Sequence, residues 1–383
     1  MRLLHFSDIH IGMENYAKLD PETGLSTRLL DFFETFDFIV DTAIKETVDA
    51  VVFAGDAYKT RDPNPTQQRG FGQRIKKLAK AGIPVVLVIG NHDTPNADGK
   101  ANTLDIYSAL EIDNVWVSRQ PEYLQIPTKS GSLQVITLPW LHKNDYKTAG
   151  DKLNLLYNKI KSGSPAIFLS HCEVEGASFG SEKGLAITND VTIPLPLLQD
   201  RRLSYVALGH IHKHQVLSKN PLVVYSGSPQ RIDFGEEKEE KGICLVEIQN
   251  AKTNFQFIPT NARKFLTITI DLKGSDQNPT QTIIDSIEDN DITDKIVRVI
   301  INIPASCDKE IQMDKIKKAL QKANFIAAIS RNVERIERIR FDGGSEVESL
   351  TPVDALKKYF EFKKYPSQKQ KELEKYAAQL LEI

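Results

Sequence analysis

Asp8 with His10, Asp56, Asn91 with His92 and Asp93, His171, and His210 with His212 each close a short run of apolar residues. The runs read RLLHF, AVVFA, VVLVI, AIFL and YVAL. A strand buried on both faces has no structural need of a carboxylate, amide or imidazole at its end. Five of the eight histidines stand at these ends. His5 lies inside a run and His142 and His214 lie between runs, where structural or solvated roles suffice. A hydrogen-bonded structural role would also explain any one strand-end histidine. The set as a whole is harder to explain that way, because unneutralised carboxylates and imidazoles over a buried sheet cost on the order of several kcal/mol each.

Carboxylate, amide and imidazole ligands without thiolate suit Mn, Fe or Zn, and fit a Ca or Mg cage poorly. The candidates Asp8, His10, Asp56, Asn91, His171, His210 and His212 are too many for one ion and enough for two. One aspartate can bridge two ions about 3.5–4 Å apart, with a water or hydroxide between them. Two divalent cations less two carboxylates and one hydroxide keep one positive charge, which matches a phosphodiester.

These residues need elements that carry them to one place. Over residues 1–215 the chain repeats an apolar strand followed in several cases by an amphipathic helix. Apolar residues at 29, 30, 32, 33, 36, 39, 40, 43 and 44 have helical spacing, and a second helix is expected from Thr66 to Lys80. In layered α/β folds, sites form where loops leave the carboxyl ends of strands. Further strands follow (LVVYSGSP, GICLVEI, FQFIPT), two of them separated by the charged turn GEEKEEKG. Near Asn261 the pattern becomes β-α-β-α-β, with no metal-capable cluster. The tail from Thr351 has two helix candidates separated by Pro366 and is rich in lysine.

Length and composition set outer bounds. A chain of 383 residues exceeds one ordinary core of about 150 residues. Three well-separated cysteines do not make a disulfide framework, and no apolar run approaches a membrane span. A cytoplasmic protein with no membrane association is expected. The net charge of −2 argues against nucleic-acid binding by bulk electrostatics. It leaves phosphodiester substrates open, since bound metal supplies positive charge locally.

DIH, GD, GNHD, the lone His171 and GHIH, in this order and spacing, resemble the motif series of the calcineurin-like metallophosphoesterases. DIHIGMENY, HCEVEGASFGSEKG and YSGSPQRIDFGEEKEEKG resemble one branch, the SbcD-type nucleases related to the eukaryotic meiotic-recombination-eleven nuclease. The resemblance implies an α/β fold: a metallophosphoesterase sandwich of two mixed sheets flanked by helices (1–260), a small α+β DNA-capping domain (261–342) and a helical tail (343–383). It implies a Mn2+-dependent DNA exonuclease and endonuclease acting in double-strand-break processing.

Asp8, His10, Asp56 and His212 would hold one ion, and Asp56, Asn91, His171 and His210 the other, with Asp56 bridging. His92 would face the scissile phosphate and protonate or stabilise the leaving oxygen, and Asp93 would orient His92 or a ligand, or cap its loop. Where the family has Asp or His three residues after the bridging aspartate, this chain has Lys59, which is expected to face incoming phosphate. The implied partners are DNA, a second copy of the chain near the helix bearing Arg69, Arg74, Lys76, Lys77 and Lys80, and an SbcC-type ATPase. The ATPase would dock on a tail stripe of Leu373, Tyr376, Ala377, Leu380 and Leu381. The rival reading is a phosphatase or cyclic-nucleotide phosphodiesterase on the same fold.

Overall fold

The structure is a computed structural model that describes residues 1–95, 97, 99–141, 149–180, 191–249, 252–304, 308–334 and 351–380. His142, Cys307, Leu381 and the expected boundary at 342/343 lie outside the described residues.

The first half runs β1 (Arg2–Phe6), α1 (Thr27–Lys45), β2 (Ala50–Phe53), α2 (Pro65–Lys80), β3 (Val85–Val88), α3 (Asp105–Ala109), β4 (Val115–Ser118), β5 (Glu122–Thr128), β6 (Gly131–Leu138), α4 (Ala149–Tyr157), β7 (Ala166–His171), β8 (Glu173–Val174) and β9 (Thr192–Ile193). It continues through β10 (Tyr205–Gly209), β11 (Gln215–Lys219), β12 (Leu222–Tyr225), β13 (Gly242–Gln249) and β14 (Lys252–Pro259). One six-stranded sheet has the order β14-β13-β1-β2-β3-β4 and the other β11-β12-β10-β7-β6-β5. In the first, β1 to β4 are parallel and β13 and β14 antiparallel; in the second, β12, β10, β7 and β6 are parallel between two antiparallel edges.

Strand alternation explains the continuous apolar runs. Leu3, Val52, Val86 and Val88 turn inward against Val135, Ile167, Leu169 and Ala207 of the other sheet. Their neighbours Leu4, Phe6, Val51, Phe53 and Leu87 face outward, beneath Phe36, Ile39 and Val40 of α1 and Phe71, Ile75 and Leu78 of α2. Each such side chain, buried on either face, contributes about 1.5–3 kcal/mol. His5 points into the layer between the sheets and bonds the Tyr205 hydroxyl at 2.9 Å; burial pushes its pKa down to about 3, so it is a neutral core histidine. Helix α2 begins as its sequence directs, with Asn64 and Gln67 forming a capping box ahead of Pro65.

The register sets where chemistry can occur. Phe6 lies opposite Phe53, and Phe53 opposite Leu87, so β1, β2 and β3 end in step. Gly209 lies opposite His171 in the second sheet. The carboxyl ends of five parallel strands thus open at one edge of the sandwich.

Beyond it, β15 (Phe265–Asp271), α5 (Pro279–Glu288), β16 (Ile296–Ile303), α6 (Met313–Ala319) and β17 (Phe325–Val333) form a parallel three-stranded sheet with its own core. Helices α7 (Pro352–Phe362) and α8 (Ser367–Leu380) follow, with Phe360 buried against Tyr365. Among the described residues no helix is long and apolar enough to cross a membrane.

Candidate metal centre

Each strand end contributes through a tight loop. Asp8, His10, Asp56 and His210 have positive φ, at 54°, 45°, 60° and 98°. Left-handed backbone at a non-glycine residue costs on the order of 1–3 kcal/mol and persists only where the surroundings impose it. Here they do: Asp8 N–H bonds Gly55 O, His10 N–H bonds Asp56 O, and His210 N–H bonds the Asp8 carboxylate at 3.1 Å. Gly90 is required on steric grounds, because a Cβ there would sit 2.0 Å from Oδ1 of Asp56.

The structure brings the seven candidates together in an unbroken series. His212 Nε2 lies 3.1 Å from His10 Nε2, which lies 3.5 Å from Asp56 Oδ2 and 4.0 Å from Asp8 Oδ1. Asp56 Oδ2 lies 3.5 Å from His171 Nε2, which lies 2.9 Å from Asn91 Oδ1, itself 3.2 Å from His210 Nδ1. Asp8, Asp56, His10 and His171 are buried, whereas Asn91 and His92 are half-buried.

The tautomers sharpen the picture. His171 Nδ1 donates to Ala54 O at 2.7 Å, so in the neutral form that a metal ion requires the ring turns a bare Nε2 toward Asn91 Oδ1. That oxygen is an acceptor too, and two acceptors at such a distance repel unless a cation or proton lies between them. His212 Nδ1 bonds Glu236 Oε1 at 2.8 Å and so directs its own Nε2 at His10. A nest of acceptors behind fixed imidazoles is what a divalent ion requires. The residues present fit the two-ion site.

Electrostatics agree. Burial opposes the charged form of Asp56, but His171 and the His92 N–H bonded to the carboxylate outweigh it and hold the carboxyl well below the usual range. Burial likewise opposes charge on His171, yet Asp56 and Asp8 raise it, so the pocket attracts positive charge. Burial keeps His10 well below its ordinary value and His210 at about 3, both neutral.

Asp93 is a clamp. Its carboxylate accepts the N–H groups of Asp56, Ala57 and Gly90 at 2.9, 3.0 and 2.9 Å, binding the second and third strand-end loops together. Burial and the nearby Asp56 push its pKa up to about 6, against those donors. It therefore orients Asp56 through the backbone, and capping its own loop at Gly90 is part of the same contact. His92 takes a separate position: its N–H bonds Asp56 Oδ1 at 2.9 Å, and its Nδ1 donates to Lys59 O at 2.7 Å. The ring is also close enough to His10 and Asp56 for the three to share an ion. Lys59 thus orients His92 with its carbonyl, a contact any residue type at this position could make.

Sequence reasoning missed Glu236. It lies in the charged turn, yet it is fully buried, bonded to His212 and paired with Lys241 at 2.9 Å. Burial opposes its charge, but Lys241 and His212 hold its pKa at about 2. Cys172, next to His171, is buried with its thiol pushed up to about 12, as befits a packing residue. Of the basic residues on α2, Arg74 and Lys77 are engaged by Asp37 and Asp41 of α1, each at 2.5 Å.

The chain is similar to a Sulfurisphaera tokodaii protein named DNA double-strand break repair protein Mre11, 28% identical over 70% of this chain and 65% of that protein. It is also similar to the proteins named as the D component of nuclease SbcCD in two bacteria, 26% identical in each case. For Bacillus subtilis the match covers 64% of this chain and 66% of that protein, and for Escherichia coli 66% of each. The chain spans just under two thirds of the length of these relatives. Residues 1–214, more than half of the 383 and inclusive of every candidate ligand, match the family described as Calcineurin-like phosphoesterase, and the chain belongs to that family.

Proposed function

We propose that this chain is a Mn2+-dependent DNA nuclease, with exonuclease and endonuclease activity, acting in double-strand-break end processing with an SbcC-type coiled-coil ATPase. The observation that carries the reading is the unbroken acceptor series from His212 through Asp56 to His210, in a chain whose relatives bear the names of a break-repair protein and a nuclease.

Asp8, His10, Asp56 and His212 would hold one ion, and Asp56, Asn91, His171 and His210 the other. Bound there, two divalent ions supply charge neutralisation of the phosphodiester and an activated water. The chain's own residues prepare the place: Asp93 sets the Asp56 loop, Glu236 turns His212, and Ala54 O fixes the His171 ring. His92, half-buried and directed by Lys59 O, would present Nε2 to the leaving oxygen. Residues 1–260 would be the nuclease domain, 261–342 a cap over DNA and 343–383 the ATPase-binding tail. A homodimer across which DNA lies, in the cytoplasm, completes the proposal.

The test is digestion of end-labelled linear and hairpin DNA, with and without Mn2+, beside small phosphate monoesters and cyclic nucleotides. Mn2+-dependent cleavage of DNA is the expected result. Turnover of the small esters alone would favour the phosphatase or cyclic-nucleotide phosphodiesterase reading.

Two further outcomes are expected. Lys59→Ala keeps the carbonyl that orients His92, so metal content should not change. Loss of the ammonium should weaken DNA binding and reduce the salt slope of affinity by roughly one unit, the usual effect of one phosphate contact. Identical slopes for variant and parent would leave Lys59 a surface residue. Deleting residues 366–383 should leave a folded, metal-loaded enzyme that no longer binds the ATPase. On α8 the stripe residue Tyr376 is 59% exposed, as a docking face requires. Aggregation of the truncated protein would mean the stripe packs on its own chain.

A further inference from the structure

We propose that the β15–β17 unit controls one of the two metal positions and not the other, acting through the turn at Phe234–Glu237 and the loop at Tyr16. The inference rests on the metal assignment just given, in which Asp8, His10 and His212 share an ion.

Glu236 and Glu237 are consecutive and face opposite ways. Glu236 Oε1 accepts from His212 Nδ1 at 2.8 Å, while its Oε2 accepts from Ile232 N–H and lies 2.9 Å from Lys241 Nζ. Lys241 also bonds the His212 carbonyl at 3.2 Å, so ring and backbone of this histidine are held from one place. Glu237 reaches into the other unit: its carboxylate accepts the N–H of Thr267 at 2.8 Å and the hydroxyl at 2.6 Å. Thr267 lies on β15 and is bonded in turn by Arg298 of β16 at 3.0 Å. The Arg298 guanidinium lies 4.3 Å from the ring centre of Phe234, and Phe234 packs edge-on against Phe265 at 5.0 Å. The turn between these anchors is a single 3-10 turn, Phe234–Glu236, so Glu236 and Glu237 are separated by one peptide bond.

The loop after His10 is joined to the same unit. Tyr16 packs against Phe234, Phe265 and Phe325 with ring centres 5.4, 5.7 and 6.4 Å apart. Of the two histidines assigned to the first ion, His10 therefore precedes a loop packed on β15–β17, and His212 is bonded by the turn that this unit holds. The second set is held differently: His171 by Ala54 O, and Asn91 by its contacts with His171 and His210, all within the two large sheets. Metal–ligand distances tolerate only about 0.2 Å, so a shift of β15 on binding DNA would alter the hold of His212 well before it unfolded the turn.

The experiment is calorimetric titration of the full chain with Mn2+. The parent should show two binding events, and His10→Ala should identify the first by deleting it. Glu237→Ala, a half-buried residue that touches no ligand, should weaken that same event about fivefold or more, the size of a typical coupling between sites. The second event should not move, the apoprotein should melt as the parent does, and Glu237→Gln, which can still accept from Thr267, should restore the affinity. Glu236→Gln should weaken the same event by about 10–100-fold, the usual effect of losing a ligand's supporting partner. Glu237→Ala with both parental affinities, or with both weakened alike, would overturn the coupling while leaving the metal assignment standing. A parent that takes up fewer than two ions would instead overturn the assignment, and the coupling with it.

Discussion

Asp56→Asn should strip both ions from the protein and abolish phosphodiester hydrolysis. Asp56 Oδ2 stands 3.5 Å from His10 Nε2 and 3.5 Å from His171 Nε2, midway between the two halves of the acceptor series. The charged form of this carboxylate is favoured by its surroundings despite burial, with His171 opposite it and the His92 N–H bonded to it. An amide keeps the shape, and its oxygen can still accept from His92 N–H, so the loop should hold. What would disappear is the one negative charge that the proposed assignment places against both ions. The loss of affinity should exceed the roughly 10–100-fold that follows removal of a supporting partner alone, and it should appear at both positions. Elemental analysis checks this, with the melting temperature of the apoprotein separating metal loss from unfolding. Two ions retained per chain would rule out the bridging role.

The site was legible because its residues break a pattern. Val85 to Ile89 are what a doubly buried strand requires, and Asn91 and His92 are not, so the eye stops there. The strands and helices of residues 1–260 and of the β-α-β-α-β unit were readable from apolar runs and regular helical spacing, whereas the two-sheet sandwich followed only from the family resemblance. Strands β4, β5 and β6 carry no such ending, and sequence reasoning passed over them although they complete both sheets.

Other features were harder to read. The left-handed backbone at Asp8, His10, Asp56 and His210 leaves only a faint trace in residue type: aspartate and histidine are enriched in that conformation, but most of them do not adopt it, and only glycine announces it clearly. Glu236 was hidden among Glu237, Glu239 and Glu240: a run of charges does not say which member turns inward. Its burial depends on Lys241 and on His212, 24 residues away along the chain. Asp93 was readable as a supporting residue but not as a clamp, because the loop it holds is 36 and 37 residues distant. Propensity and spacing report local preferences, whereas these roles are set by tertiary contact.

His92→Ala should slow DNA cleavage by about 10²–10⁴-fold, the usual contribution of a general acid, with metal content and DNA affinity unchanged. The structure gives His92 a different situation from the histidines around it. His10 and His171 are buried, while His92 remains half-buried, and its Nδ1–H is engaged by Lys59 O. Nε2 is the atom left for an incoming group. A leaving alkoxide needs a proton or a strong hydrogen bond, and an acidic aryl leaving group needs neither. The defect should therefore shrink when DNA is replaced by an aryl phosphodiester, a change that purely structural damage would not produce. The ring lies 4.9 Å from that of His10, near enough for His92 to share an ion with His10 and Asp56. Elemental analysis of the variant separates these two roles. Two ions retained, with the rate lost on DNA and largely recovered on the aryl ester, is the expected result; loss of an ion would make His92 a ligand and remove it from the leaving group.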